Sequence, residues 1–277
     1  MSSVYLQSLS LQYDALSVAH EAPAQAQNLA KQIKFDAVQQ KTYKEIIAFG
    51  LNAYETDPLR VAVLQEILKE VAGEDEKAKL SEKLSRKSVV EVDSSDYVKQ
   101  GQKKRETRVS ADEEPFETLR QTPETEITQL LDTLSELKTP EYRLKGCQEV
   151  AKKLGPDFQM PYYGEEVCKI EEVMKGMNLS LSTVQDLSNE EIDELLKKAQ
   201  KQIKRSATIG APELAIQIAR DFVQAGIKSI DIDNGLERAA CIACAYQRSF
   251  ADQIVAEIKI PYRHDRAINT MDQIRKV

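Results

Sequence analysis

Apolar residues recur along most of the chain at the three- and four-residue spacing of one face of an α-helix. Leu214, Ala215, Ile218, Ala219, Phe222 and Val223 fall on one such stripe, and Ile192, Leu195, Leu196, Ala199 and Ile203 on a second. Ile127, Leu130, Leu131, Leu134 and Leu137 make a third. The punctuation agrees with this period. Ser188-x-x-Glu191 and Asn234-x-x-Glu237 have the spacing of a capping box, in which the first side chain accepts from the third residue's N–H and the Glu reaches back. Pro58, Pro123 and Pro140 suit the first position of a helix, where a missing N–H costs nothing. Gly73, Gly155 and Gly226 stand where helices should stop.

The pattern changes between Ser88 and Gln121, where regularly spaced apolar residues are few and charged clusters such as Lys103–Arg108 and Asp112–Glu114 take over. This stretch reads as a charged linker or long loop, with Val89–Val92 as a short strand that has no evident partner. The expected fold is all-α, with antiparallel helix hairpins stacked as a short α-solenoid or as two helical bundles. Residues 1–87 form an N-terminal helical domain in this reading, 88–121 the linker, and 122–277 a C-terminal helical-repeat domain.

An internal repeat supports stacking. Setting Ala26–Phe49 against Ala251–Ile274 without a gap pairs Leu29 with Ile254, Ile33 with Ile258, Lys34 with Lys259 and Phe35 with Ile260. The register continues through Thr42 with Ala267, Ile46 with Met271 and Phe49 with Ile274. A third copy runs from Leu137-Lys138-Thr139-Pro140 into Lys145–Val150, matching Ile258-Lys259-Ile260-Pro261 and its sequel. Each copy reads as a helix, a tight corner and a second helix whose small residue (Thr42, Gly146 or Ala267) lets backbones approach. A lone hairpin cannot bury its apolar face, so neighbours must stack. The pattern resembles degenerate tetratricopeptide-like or HEAT-like α-solenoid repeats, most of all over Pro212–Arg248 and Phe250–Arg275, although the tetratricopeptide Trp-x-x-Leu-Gly-x-x-Tyr signature is missing. The resemblance implies a scaffold used for protein recognition and carries over no functional residue.

Composition narrows the function classes. A net charge of −7 over 277 residues gives no overall attraction to phosphate backbones or anionic membranes, so nucleic acid is not an expected partner. No apolar run approaches the ~18 residues of a membrane span. The N-terminus lacks the basic region of a Sec signal, which points to the cytoplasm, while Ser2–Gln12 is compatible with export of an effector by a non-Sec route. Four cysteines, Cys147, Cys168, Cys241 and Cys244, all sit in helical apolar patterns and read as reduced core residues.

Candidate chemistry is sparse. Cys241-x-x-Cys244 with His264 offers two thiolates and an imidazole for a zinc ion but no fourth ligand, and the surrounding Ala239–Ala245 favours core packing. His20 and His264, the two histidines, stand at a helix boundary and in a charged first turn. Asp231-Ile232-Asp233-Asn234-Gly235 departs from a calcium loop at its fifth and sixth positions and reads as helix capping. No nucleotide-binding glycine loop and no HExxH occurs, so no cofactor is expected. Tyr162 and Tyr163 are the densest aromatic spot and could anchor a partner.

The function expected on these grounds is protein–protein interaction by a non-enzymatic helical-repeat protein: a scaffold, adaptor, chaperone or effector. The alternatives are a metal- or cysteine-dependent enzyme using Cys241, Cys244 and His264, and a structural oligomerisation module, since stacked hairpins leave apolar ends that favour a homo-oligomer.

Overall fold

The computed structural model describes residues 2–53, 58–88, 111–156, 158–161 and 163–274. Among the described residues the protein is all-α, with fourteen α-helices, one short 3-10 turn (Val184–Asp186) and no strand. The helices are α1 (Ser2–Val18), α2 (Pro23–Lys31), α3 (Asp36–Ala53), α4 (Pro58–Lys69), α5 (Glu74–Ser88), α6 (Glu113–Gln121) and α7 (Ile127–Glu136). They continue as α8 (Pro140–Leu154), α9 (Gly164–Ser182), α10 (Asn189–Thr208), α11 (Pro212–Gln224), α12 (Ile230–Tyr246), α13 (Arg248–Val255) and α14 (Pro261–Ile274). The stretch expected as a linker ends in α6, which buries Leu119 and packs on α7 and α8. Val89–Val92 and Lys103–Arg108 lie outside the described residues.

The predicted stripes face the core, with one exception: Val223, the last residue of its stripe, is 64% exposed. The Ser188–Glu191 capping box forms in full, with both the backbone and the side-chain hydrogen bonds. The Asn234–Glu237 box does not. α12 starts one turn earlier, capped by Ser229, whose hydroxyl accepts from the Asp231 N–H at 3.2 Å. This frees the Asn234 and Glu237 side chains for other partners. Pro123 likewise begins a turn rather than a helix, its carbonyl accepting from Glu126 N–H at 3.1 Å. Gly155 and Gly226 do end helices, at φ of 74° and 76°, in the left-handed region where a Cβ is unwelcome, whereas Gly73, expected at a helix end, stands at the start of α5, its carbonyl accepting from Lys77 N–H at 3.0 Å.

The aligned helix, corner, helix segments occupy α2–α3, α7–α8 and α13–α14, and their matched apolar positions are buried, apart from Leu29 and Phe35, which are half-buried against the core. The small residue does what its place suggests in α8, where a Cβ on Gly146 would stand 2.5 Å from Leu137 Cδ1 and 2.8 Å from Leu134 Cδ1. Two of the corners share a further device. Asp112 accepts from the N–H groups of Lys138 (2.9 Å) and Thr139 (2.7 Å), just ahead of Pro140. Asp233 accepts from those of Lys259 (3.2 Å) and Ile260 (3.0 Å), just ahead of Pro261. Neither Thr139 nor Ile260 caps its own helix by a side-chain bond, so a carboxylate just before (Asp112) or within (Asp233) the helix two elements earlier satisfies these buried or part-buried donors instead.

The two aspartates do this with different atoms. Asp112 uses one oxygen per N–H, and those bonds hold its carboxyl below its ordinary range although burial pushes the other way. Asp233 lies deeper; one oxygen, Oδ2, receives both N–H groups and the Tyr13 hydroxyl (3.3 Å). Burial there outweighs the hydrogen bonds, and the carboxyl sits above its ordinary range.

The residues before and after the sequence break pack together. Besides Tyr13 with Asp233, the Tyr5 hydroxyl bonds Asp193, Lys41 reaches Asp231 at 3.5 Å, and Phe49 packs on Tyr262 with ring centroids 4.5 Å apart. Arg263, 4% exposed, is the centre of this contact. It bonds Asn234, meets Glu237 at 3.2 Å and Glu45 at 3.8 Å, and lies over the Phe49 ring at 5.4 Å. Glu45 is itself buried enough that its carboxyl is raised, against the pull of Arg263.

Two predictions follow from this geometry, both read by urea unfolding. An Asn at 233 can offer a single carbonyl oxygen to all three donors, whereas an Asn at 112 must turn an amide NH2 toward a backbone N–H. Asp112→Asn therefore costs about 2 kcal/mol and Asp233→Asn under about 1 kcal/mol; the reverse order would refute the assignment of oxygens. Arg263→Ala, which strands the Glu45 carboxylate, costs about 3–5 kcal/mol. A loss below about 1 kcal/mol would show that water enters the site and that Arg263 does not hold the contact.

Candidate functional site

The residues singled out as candidate ligands do not converge. The Cys244 thiol is buried and donates to the Met271 carbonyl at 3.6 Å, Cys241 faces a cavity, and His264 stands beside Asp265 at 3.3 Å in the first turn of α14. Among the described residues no three His, Cys, Asp or Glu side chains gather as metal ligands. Cys168, expected in the core, is exposed on α9. Tyr163 packs partly against the core at the start of α9, and Tyr162 lies outside the described residues. No helix among the described residues is long and apolar enough to cross a membrane.

The structure builds a different site, at the meeting of α7, α8, α10, α12 and α14. Two cavities adjoin there and share Ser135 and Arg238 in their walls. The inner one, about 310 Å³, is walled by Leu134, Pro140, Cys147, Cys241, Ile242 and Tyr262, with Arg143, Arg266 and Glu237 as its charged groups. The outer one, about 770 Å³, is polar and lined by Lys201, Lys204 and Arg205 of α10 together with Asp112, Asp132, Glu136 and Lys138. Lys201 and Lys204 are three residues apart and so share one face of their helix.

What these charges are bonded to decides what the cleft can do. Arg238 donates to the carbonyls of Ser135 (3.3 Å) and Leu137 (2.9 Å), closing the C-terminal end of α7. Arg205 is paired with Asp132 and with Glu166 at 2.9 Å. Arg266 is held in a two-pronged bond by Glu237, with both contacts at 2.6 Å. Asp112 is committed to the corner amides. That leaves Lys204, Lys201 and Arg143 with no hydrogen bond or ion pair among the described residues, and Glu136 as an exposed carboxylate on the rim. Burial, then Arg238, Lys201 and Arg143, push the Lys204 ammonium below its ordinary range, and burial followed by Arg143 does the same to Arg238. A chain with seven surplus negative charges thus keeps a local group of like positive charges in a recess.

The thiols of the inner cavity are poor nucleophiles. Burial, followed by Glu237, pushes the Cys241 thiol up to about 12, and burial raises Cys147 as well. Thiolate is the reactive and metal-binding form, so both stay inert at neutral pH. The arrangement suits binding an anion rather than attacking a carbonyl. A second recess, about 490 Å³, opens beside the exposed Val223, but its charged rim is paired internally, Arg220 with Glu257 at 2.7 Å and Lys228 with Asp14 at 3.1 Å. Comparison with protein-family models, with curated proteins and with solved structures finds no match. The linear pattern carries a basic stretch in α10, Lys197–Arg205, that the sequence reading passes over, but not the cleft itself, because Arg143 and Arg238 come from two other helices.

An unpaired cation among like charges costs stability unless a ligand uses it. Lys204→Met is therefore expected to raise Tm by roughly 2 °C in differential scanning calorimetry. Its folded-state pKa lies below the ordinary 10.5, so the protonated form is penalised when folded, and stability in the wild type rises as pH climbs through that depressed value. Lys204→Met flattens this alkaline rise. A lower Tm would make Lys204 a structural residue and remove the cleft's claim to function.

Proposed function

We propose that this chain is a non-enzymatic helical scaffold, of the stacked-hairpin kind that tetratricopeptide-like and HEAT-like proteins exemplify, and that it engages a protein partner through the cationic cleft between α8, α10 and α12. One observation carries the reading: Lys201 and Lys204 of the outer cavity and Arg143 of the adjoining inner one hold unneutralised positive charge in an acidic chain. Such a charge pattern steers and selects an acidic surface and discriminates against basic ones. Helical scaffolding supports this use, because three elements far apart in sequence bring rigidly mounted side chains to one place. The protonated thiols and the scattered cysteine and histidine positions give the enzyme reading no comparable support.

The test is a comparison of cross-linked partners recovered by wild type, by Lys201→Glu/Lys204→Glu and by the exposed control Lys175→Glu on α9. The double reversal is expected to lose, by roughly tenfold or more, an acidic partner that wild type and control both retain. Circular dichroism shows whether the variants are folded. Equal recovery by all three would sink the proposal.

A further inference from the structure

We propose that the cleft is a docking site for a phosphorylated serine or threonine of the partner, followed by an apolar residue that enters the inner cavity. This rests on the cleft being the partner-binding face. Three facts of the structure favour a phosphate over a single carboxylate. The cations number more than one carboxylate can neutralise: Lys201, Lys204 and Arg143 have no anionic partner, and the neighbouring Arg238 spends one nitrogen, Nη2, on the end of α7. The carboxylates that could relieve them are taken, Asp112 by the corner amides and Asp132 by Arg205, while Glu136 stays on the rim. The mixture is also apt, since a phosphate monoester carries close to two charges and three acceptor oxygens, enough for a guanidinium and two ammonium groups together.

The two cavities differ in kind, and that fixes the rest of the ligand. Leu134, Ile242, Cys147 and Tyr262 make the inner walls apolar, and the volume of about 310 Å³ has room for a side chain of leucine size. The outer cavity, about 770 Å³, is wide and polar and has the exposed Lys201 on its wall. A free metabolite would be better enclosed than this, whereas an extended chain segment can set its phosphate where the two cavities meet at Arg238, between Arg143 of the inner wall and Lys201 and Lys204 of the outer, and its next side chain in the inner cavity. The seat for the phosphate is assembled without any glycine loop, by side chains alone.

The experiment uses the full chain and four fluorescent probes at matched ionic strength: Ala-phosphoSer-Leu-Ala, Ala-Ser-Leu-Ala, Ala-phosphoSer-Ala-Ala and Ala-Glu-Leu-Ala, each with blocked ends. Fluorescence anisotropy should rank phosphoSer-Leu at least roughly tenfold tighter than the unphosphorylated and Glu probes, with phosphoSer-Ala weaker by a few fold. Lys204→Met and Arg143→Met should each bring phosphoSer-Leu down toward the unphosphorylated level. Because Lys204→Met is expected to be at least as stable as wild type, its loss of binding cannot be put down to unfolding. Equal binding of phosphorylated and unphosphorylated probes overturns the proposal, as does full retention by both variants. Glycerol phosphate competing as well as the phosphopeptide overturns it in favour of a small phosphate ester. If the phosphopeptides fail while Lys201→Glu/Lys204→Glu still loses its partner, the phosphate assignment falls and the cleft remains the partner face. If the double reversal also keeps its partner, both fall.

Discussion

Asp233 ties the first helix to the last corner. Its Oδ2 takes the Lys259 and Ile260 N–H groups and the Tyr13 hydroxyl. The need for it comes from the corner itself. A helix that begins with proline gives up one N–H at no cost, but the N–H groups just before it still require acceptors, and isoleucine at 260 has none to offer. A buried donor left unmet costs more than a made hydrogen bond returns, so an acceptor has to arrive from elsewhere in the fold. α12 delivers it, and in doing so fixes where α14 lies against α12. Asp112 does the same for α8 from the start of α6.

Once α14 is placed, the rest of the contact between the early and late helices has little freedom. Arg263, in the first turn of α14, is carried into the space between α3 and α12, where Glu45 and Glu237 face it. Burying a lone guanidinium there would be prohibitive, and burying it with carboxylates on both sides is tolerable at best. Such a network selects one packing over its neighbours more than it adds to stability, because a slipped helix would strand charges in the interior. Arg266 completes the pattern by holding Glu237 from the other side and turning its own guanidinium to the wall of the inner cavity.

The cleft depends on the same placement. α8 and α14 pack on α12 and on each other, so the corner held by Asp112 sets the position of Arg143 and the corner held by Asp233 that of Tyr262. α10, packed along α12 with Gly235 letting the backbones close in on Gln200, brings Lys201 and Lys204 to the opposite wall. Positive charge therefore accumulates there because three helix contacts bring Arg143 and Arg238 up to the basic second half of α10, Lys197–Arg205. This explains how a chain that is acidic overall can present a cationic site, since the one basic stretch of α10 is supplemented by arginines from α8 and α12.

The amino-acid sequence alone determined the all-helical class, most helix ends and the repeated helix, corner, helix segments, because periodicity, proline and glycine act over a few residues and are written locally. Where local signals competed, the sequence misled. Asn234-x-x-Glu237 has capping spacing, yet Ser229 caps α12 first and leaves both side chains to Arg263 and Arg266. Val223 fits its stripe but overshoots the buried face, and Cys168 sits on the exposed face of α9. The 26-residue interval from Asp112 to Lys138, repeated from Asp233 to Lys259, stood in the sequence as a readable signal, but its meaning required the corners to be folded. The cleft was decided by tertiary structure alone. Its charge lies in the convergence of side chains from separate helices, and whether a lysine is paired or left bare is a property of its neighbours in space.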